Sequence, residues 1–388
     1  MNRPLHPGLL DSCVHCGLCL TACPTFRATG HEAESPRGRL LLMEGALQGR
    51  WDWSEAAPHL EGCLGCRACE SVCPAGVPYG AALEASRAVM LGEGQTRGRA
   101  ARWMIRHVLW RRSLLRFAAP LLGLLGPLLR RAAAVPGLPP ALGGRLRLVP
   151  RVERRSRVKF SASAVPEARR ASVMSGCVAG SWFAATETDT CRLLDAAGYR
   201  VRRLGSPSCC GALAAHAGET ATAERFHAEL QRVIQPGERV VATAAGCSAH
   251  LAAHPAVETL ELTEALVQGP RPLRFRNAQP VVVAYQDACH LRHGQGVVET
   301  PRSLLRQAGA TVVEIRDAAL CCGSAGLYNL EHPAPAAELG RAKAAALLEV
   351  RPQVVITANP GCHLQLSAHL QVPGLSVETL PRFLAARL

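Results

Sequence analysis

Lysine is almost missing from this 388-residue chain: Lys159 and Lys343 are its only two, and the remainder of its 44 basic residues are arginine. The formal charge of +14 therefore records an arginine bias more than a recognition surface. No helix-turn-helix pattern or other nucleic-acid-binding motif accompanies it, so nothing calls for a nucleic-acid partner. Aromatic residues are scarce as well, at 4%. No G-x-G-x-x-G follows a strand-like run, so no dinucleotide is expected on this chain. No uninterrupted apolar run reaches the roughly 20 residues of a membrane span. The start, Met1-Asn2-Arg3-Pro4-Leu5-His6-Pro7, lacks the apolar segment of a secretory signal, so a reducing, cytoplasmic setting is expected.

Cysteine is what the chain has in excess, with 17. In a large chain from a reducing compartment, thiols ligate metal or do redox work. Cys13, Cys16, Cys19 and Cys23 precede Pro24; Cys63, Cys66, Cys69 and Cys73 precede Pro74. Both runs read C-x2-C-x2-C-x3-C-P, the spacing that wraps a [4Fe–4S] cluster in a tight loop while the fourth cysteine serves the other cluster. The expected sets are thus Cys13, Cys16, Cys19 and Cys73 for one cluster, and Cys63, Cys66, Cys69 and Cys23 for the second. The fourth cysteine is expected to depart along a helix, with the proline turning the chain away. Zinc prefers two cysteine pairs with a longer gap, which this spacing disfavours. Two thiolate-bound clusters would lower the net charge by roughly four units. Between the motifs, Ser35 is placed to cap a helix beginning at Pro36. Its apolar run is expected to cover the clusters, and its Arg37 and Arg39 to be solvated, with a charge effect on the clusters as the alternative.

Residues 97–160 differ in character. Arg97, Arg99, Arg102, Arg106, Arg111, Arg112 and Arg116, with Trp103 and Trp110, lead into an apolar stretch, Phe117 to Leu129, closed by Arg130 and Arg131. The stretch is short for a bilayer span, and Pro120 and Pro127 interrupt it. Two readings stay open: a helix lying in a membrane interface, or a helical hairpin between domains. Pro136 to Pro150 and Arg151 to Arg157 read as a linker.

The second half repeats itself. Cys177, Cys209-Cys210-Gly211 and Cys247 recur as Cys289, Cys321-Cys322-Gly323 and Cys362. The step from single cysteine to pair is 32 residues in both copies; the step from the pair to the last cysteine is 37 and then 40. Strand-like runs at Ala171–Met174, Val240–Thr243, Val281–Tyr285 and Val354–Thr357 alternate with helical stretches such as Thr222–Val233 and Thr300–Gln307. Parallel α/β units follow, with the cysteines just past the carboxyl ends of strands, where such sheets bind ligands. Four thiols per copy can hold one cluster each, ahead of a redox dithiol or a packing role. Cys191 stands apart as a core cysteine. Asp287, His290 and His363 flank the second copy's cysteines, where they could tune a potential, carry protons or be ordinary strand-end residues.

The predicted fold is a mixed α+β and α/β multidomain chain. A helical two-cluster ferredoxin-like module at 1–96 and a basic, apolar connector at 97–168 precede duplicated parallel-sheet domains at 169–268 and 269–388.

The repeated cysteines resemble the Cys-Cys-Gly domains of heterodisulfide reductases. The whole chain, including Ser35-Pro36-Arg37-Gly38-Arg39 and Ala75-Gly76-Val77-Pro78-Tyr79-Gly80, resembles the iron–sulfur subunits of glycolate oxidases. That resemblance implies an oxidoreductase complex in which separate FAD-bearing subunits oxidise glycolate to glyoxylate. This chain would carry the electrons onward to a quinone-type acceptor, with peripheral contact to the inner membrane's cytoplasmic face. Related subunits serve lactate or glycerol 3-phosphate dehydrogenases, and direct thiol–disulfide chemistry is a third possibility. A full Cys-Cys-Gly motif closes with Cys-x-x-Cys and holds a non-cubane cluster; here His250 and Gln365 occupy the closing positions. Four-thiolate clusters, ligation by His250, or sites without a cluster all remain open.

Overall fold

The computed structural model describes residues 5–96, 103–109, 111–133, 135, 137–153, 169–207, 209–254, 257–276 and 279–388. Arg97, Arg99, Arg102, Trp110, Pro136 and the basic run after Glu153 lie outside the described residues.

Five α-helices build the N-terminal region: α1 Pro24–Thr29, α2 Pro36–Leu47, α3 Trp53–Glu61, α4 Ala68–Ser71 and α5 Tyr79–Gly92. Ser35 Oγ accepts from the Gly38 N–H at 2.9 Å, and Pro36 opens α2, as its missing donor predicts. Asp52 and Glu55 close a capping box on α3. Leu40, Met43, Trp53, Leu60, Leu83 and Met90 form the core between α2, α3 and α5. The prolines act differently from expectation. Pro24 starts a helix directly after Cys23 instead of ending one, whereas Pro74 enters a turn that leads to α5.

The described part of the connector is largely helical. Arg112–Ala132 is one helix running through both Pro120 and Pro127, so the expected interruption does not occur. Both prolines, and the residues four before them whose carbonyls they leave unpaired, lie on the exposed side, where water can satisfy those groups. Ser113–Ala132 is long and apolar enough, by length and composition, to cross a membrane, which corrects the reading that it is too short. Leu115 nevertheless packs with Cys177, Cys209 and Phe226, so one face belongs to the protein's own core. The expected linker contains a further helix, Pro140–Arg147, which folds back against it.

Among the described residues, the repeated half contains eight strands: β1 Arg170–Met174, β2 Arg200–Arg203, β3 Arg239–Ala242, β4 Thr259–Leu260, β5 Val281–Gln286, β6 Ala310–Val313, β7 Val354–Thr357 and β8 Ser376–Thr379. They form two all-parallel sheets of identical topology, β2-β1-β3-β4 and β6-β5-β7-β8. In both, the middle strands are paired in register, Val173 beside Val241 and Ala284 beside Val355. β3, β5 and β7 are rich in valine and isoleucine, and together with β1 they are mostly buried, as strands covered on both faces must be.

The two copies share one core. Val173, Leu194 and Tyr199 of the first pack in the same cluster as Tyr285, Leu305 and Phe383 of the second. Helix Leu380–Ala385 lies against helix Ala184–Ala196 of the other copy. Arg382 pairs with Asp189 at 2.8 Å, and the Thr186 and Thr379 hydroxyls meet at 2.9 Å. Truncating Phe383 to Ala should therefore cost about 3–5 kcal/mol and loosen both copies together. Limited proteolysis of the variant is expected to open sites in residues 169–254 and 279–388 at the same protease dose.

Candidate metal centres

The two ferredoxin-type loops share a backbone conformation that explains their spacing. His15 and Gly65, each two residues after the first cysteine, have φ of 53° and 60°; Gly17 and Arg67, each four after it, have φ of 83° and 62°. Left-handed residues at alternate positions curl the chain tightly enough for three successive thiols to face one point.

Two cavities lie against these loops. The first, about 450 Å³ including its open mouth, is lined by Cys13, Cys16, Cys19 and Cys73, with Leu40 and Val77 on its walls; Cys69 reaches it from the neighbouring loop. The second, about 300 Å³, is lined by Cys23, Cys63, Cys66 and Cys69. Each cavity thus gathers three thiols of one run and the fourth of the other, and it fits a group larger than a single ion. Among the described residues, no three His, Cys, Asp or Glu side chains converge as one metal ion would require. Polar groups aim at the sulfurs: the Gly65 N–H donates to Cys63 Sγ at 3.4 Å and Tyr79 Oη donates to it at 3.5 Å. Burial pushes the Cys63 thiol up, but the Arg39 and Arg87 guanidinium charges outweigh it, and the net shift is downward. Cys66, without such partners, is pushed well up by burial and by the nearby Cys289. Cys16 is exposed, whereas Cys23, Cys66 and Cys69 are buried.

The repeated cysteines also converge. Cys209 Sγ lies 4.0 Å from Cys177 Sγ, and Cys210 Sγ lies 3.0 Å from Cys247 Sγ. In the second copy Cys289, Cys321, Cys322 and Cys362 interact in the same sequence. Each pair turns at a left-handed glycine, Gly211 (φ 92°) and Gly323 (φ 86°), whose N–H bonds back to the first cysteine of its pair at 3.4 Å. A Cβ on Gly323 would sit 2.6 Å from Ala336 O, so only glycine fits. Neighbouring thiols and burial together raise Cys177 and Cys289 well above the usual thiol range.

The flanking residues divide by role. Asp287 does not reach sulfur; it is buried between Arg302, at 2.8 and 3.0 Å, and Arg292, at 2.8 Å. His363 bonds to Val377 O at 3.0 Å and packs edge-on against Phe183, away from the thiols. His290 Nδ1 alone approaches sulfur, 3.4 Å from Cys289. At the closing positions, the Gln365 amide is fully engaged, accepting from Asn329 Nδ2 at 3.1 Å and donating to Ala336 O at 2.9 Å. His250 instead joins a row of imidazoles, His254, His227, His250, His216 and His290, with successive ring centroids 4.1, 4.8, 6.4 and 5.3 Å apart. Glu84 meets His216 at 2.7 Å, tying the row to α5. Burial holds His250 and His290 neutral, each pushed down to about 3. Sequence reasoning missed His216, His227, His254 and Glu84, because they come together from three separate segments with no local spacing to mark them.

The second ferredoxin-type loop abuts the second repeat. Leu64, Cys66 and Ala68 pack with Cys321 and Tyr328, and Cys289 lies at the edge of that cluster. Arg87 bridges to the first repeat, its Nη1 donating to His216 O at 2.8 Å.

These features define an iron–sulfur electron-transfer protein, and comparison with known proteins agrees. Residues 9–77 match the 4Fe–4S dicluster domain family, which assigns two [4Fe–4S] clusters to this region, and residues 171–252 and 283–367 match the cysteine-rich domain family. The chain is 33% identical over 407 residues to the probable glycolate oxidase iron–sulfur subunit of Bacillus subtilis (strain 168), covering 95% of this chain and 91% of that one. It is 30% identical over 390 residues to the glycolate oxidase iron–sulfur subunit of Escherichia coli (strain K12), covering 93% and 90%. It is 24% identical over 396 residues to one of the subunits of the dihydromethanophenazine:CoB–CoM heterodisulfide reductase of Methanosarcina barkeri, covering 92% and 88%. The chain belongs to the family of glycolate oxidase iron–sulfur subunits, and its role is electron transfer within an oxidoreductase.

Replacing Arg302 with Met should strand the buried Asp287 carboxylate at the end of β5, at a cost of about 3–5 kcal/mol. Thermal unfolding of Arg302→Met is expected at a clearly lower midpoint, partly restored by Asp287→Asn in the same chain; equal midpoints for single and double variants would contradict the pairing.

Proposed function

We propose that this chain is the electron-carrying subunit of a glycolate dehydrogenase, taking electrons from FAD-bearing partner subunits that oxidise glycolate to glyoxylate and passing them toward a quinone-type acceptor. The observation that carries the reading is the crossed arrangement of thiols around two cavities, in a chain that resembles glycolate oxidase subunits over nearly its full length. Cys13, Cys16, Cys19 and Cys73 hold one cluster, and Cys23, Cys63, Cys66 and Cys69 the other. In the repeats, Cys177, Cys209, Cys210 and Cys247, and Cys289, Cys321, Cys322 and Cys362, each provide a four-thiolate site for a further cluster. Clusters of this kind, when bound, take up and release one electron at a time.

The chain's own residues prepare that chemistry. Leu40 and Val77 line the first cavity and keep water from it, while Tyr79 and the Gly65 N–H stabilise charge on Cys63. Exposed Cys16 places the first thiol set at the surface, where a partner can approach. The packing of Leu64 and Cys66 on Cys321 sets the second thiol set beside the second repeat.

A membrane surface is the second expected contact, on the cytoplasmic face. Helix Arg112–Ala132 leaves Leu114, Phe117, Leu121, Leu124 and Leu128 exposed at helical spacing, Phe117 by 85%. No acidic residue occurs between Glu93 and Glu153, while Arg111, Arg116 and Arg131 border the stripe. An apolar face rimmed only by cations suits an anionic bilayer interface.

Three outcomes test these statements. Anaerobically purified protein is expected to contain at least eight irons, and Cys16→Ser and Cys73→Ser should abolish the same low-temperature paramagnetic signal; loss of different signals would refute the crossed sets. Affinity purification from the native cell should recover flavoprotein subunits with glycolate-dependent dye reduction, whereas lactate or glycerol 3-phosphate dependence would reassign the substrate. Phe117→Glu with Leu124→Glu should cut co-sedimentation with phosphatidylglycerol vesicles at least tenfold, and unchanged sedimentation would remove the membrane contact.

A further inference from the structure

Arg39 was expected to be solvated, and it is not: its side chain is fully buried, with 0% exposure. It lines the second cavity together with Cys23, Cys63, Cys66 and Cys69. Burying a guanidinium in a helix that could accept an apolar residue is costly unless each donor is met. Here Nε donates to His59 O at 2.7 Å, Nη1 to Glu34 O at 2.7 Å and to Thr25 Oγ1 at 3.0 Å, and Nη2 to Glu34 Oε2 at 2.5 Å. Thr25 Oγ1, which donates to Glu34 O at 2.7 Å, lies 3.2 Å from Cys23 Sγ, so one hydroxyl separates Arg39 from a thiol of the second set.

The placement of the counter-charge is what gives this pair a direction. Glu34 balances Arg39, and His59 Nδ1 holds its other oxygen at 2.6 Å. Yet Glu34 is partly exposed and does not line the cavity, while the guanidinium does. The cation faces the thiols through a dry, poorly screened interior, and the anion faces outward toward water, where its field is weakened. Arg37, two residues earlier, shows the contrast. It is partly exposed, pairs with Glu32 at 2.8 Å on the surface, and points to the loop around the first cavity through His15 O at 3.1 Å.

We propose that Arg39 is a positioning residue for potential: its fixed charge beside Cys23 and Cys63 makes the group held by the second thiol set easier to reduce than it would otherwise be. The inference rests on the ligand sets proposed above. A guanidinium suits the task because it stays charged at every working pH, so the bias does not vary with acidity. Each electron added to this site increases negative charge next to a permanent cation, which favours the reduced form. Arg87 adds a second cation near Cys63, donating to Leu60 O and Cys63 O at 2.8 Å each.

The test is redox potentiometry of the full chain followed by paramagnetic resonance, with the second set identified as the signal that Cys66→Ser removes and Cys16→Ser leaves. Arg39→Gln should lower the reduction equilibrium constant of that signal about tenfold, which is a 59 mV drop for a one-electron couple. Glu34→Gln keeps the cation and removes its outward counter-charge, so it should move the same signal the other way, by about threefold. The signal lost in Cys16→Ser should move less in both variants. A purely structural Arg39 predicts loss of iron from the second set with no shift, or shifts of one sign in both variants, and either result overturns the inference. If Arg39→Gln fails to fold, the Glu34→Gln shift decides alone, and an unmoved potential there is equally fatal. Parent protein without two signals would instead bring down the ligand sets, a distinguishable failure.

Discussion

Thiols buried in a low-dielectric interior ionise only where something positive answers them, and much of this structure follows from that demand. The answers come from three sources. Backbone N–H groups at left-handed turns, such as those of Gly65, Gly211 and Gly323, point at sulfur. Fixed cations stand close by, with Arg39 and Arg87 around Cys63 and the buried Lys343 beside Cys321 and Cys322, its ammonium held by Asp317 O at 2.7 Å and Ala318 O at 3.2 Å. The third source, on the ligand sets proposed above, would be iron itself; burial and neighbouring thiols otherwise hold Cys177 and Cys209 well above the usual thiol range. One of the chain's two lysines is thus buried near a thiol site, against the usual preference of that residue for solvent.

The duplicated half shows how one scaffold can be kept while its sites drift apart. Both copies have the same strand order, the same Cys-Cys-Gly turn and the same crowding of that glycine against the following helix. They differ where the motif should close. Gln365 is consumed by hydrogen bonds to Asn329 and Ala336, while His250 stands in a row of imidazoles that reaches the other copy at His290. One closing position thus carries a hydrogen-bonded amide and the other an imidazole in a row.

Much of this was legible in the sequence because cysteine spacing is a geometric statement. The C-x2-C-x2-C runs required the left-handed positions at His15, Gly17, Gly65 and Arg67, and the repeat offset required two sheets of one topology. The strand-like runs before Cys177, Cys247, Cys289 and Cys362 fell where β1, β3, β5 and β7 are found. What could not be read depended on three-dimensional burial. Arg37 and Arg39 are two residues apart on one helix, and only packing against α3 and Glu34 sends one inward and leaves the other at the surface. Asp287 looked poised for sulfur, yet two arginines from the following helices claim it. Pro120 and Pro127 read as breaks because the sequence does not reveal that both face outward from a helix packed on its other side.

The exchange of helix Leu380–Ala385 onto the first repeat carries a consequence for biosynthesis. Thr186 and Thr379, which touch in the finished fold, are 193 residues apart along the chain. At translation speeds of 5–20 residues per second, the ribosome needs about 10–40 s to travel between them. The first repeat therefore waits, its hydrophobic face uncovered, until the second is made. Completion of the first repeat, with its proposed ligand set Cys177, Cys209, Cys210 and Cys247, becomes a late, post-synthetic event, while the amino-terminal helices can pack on the nascent chain.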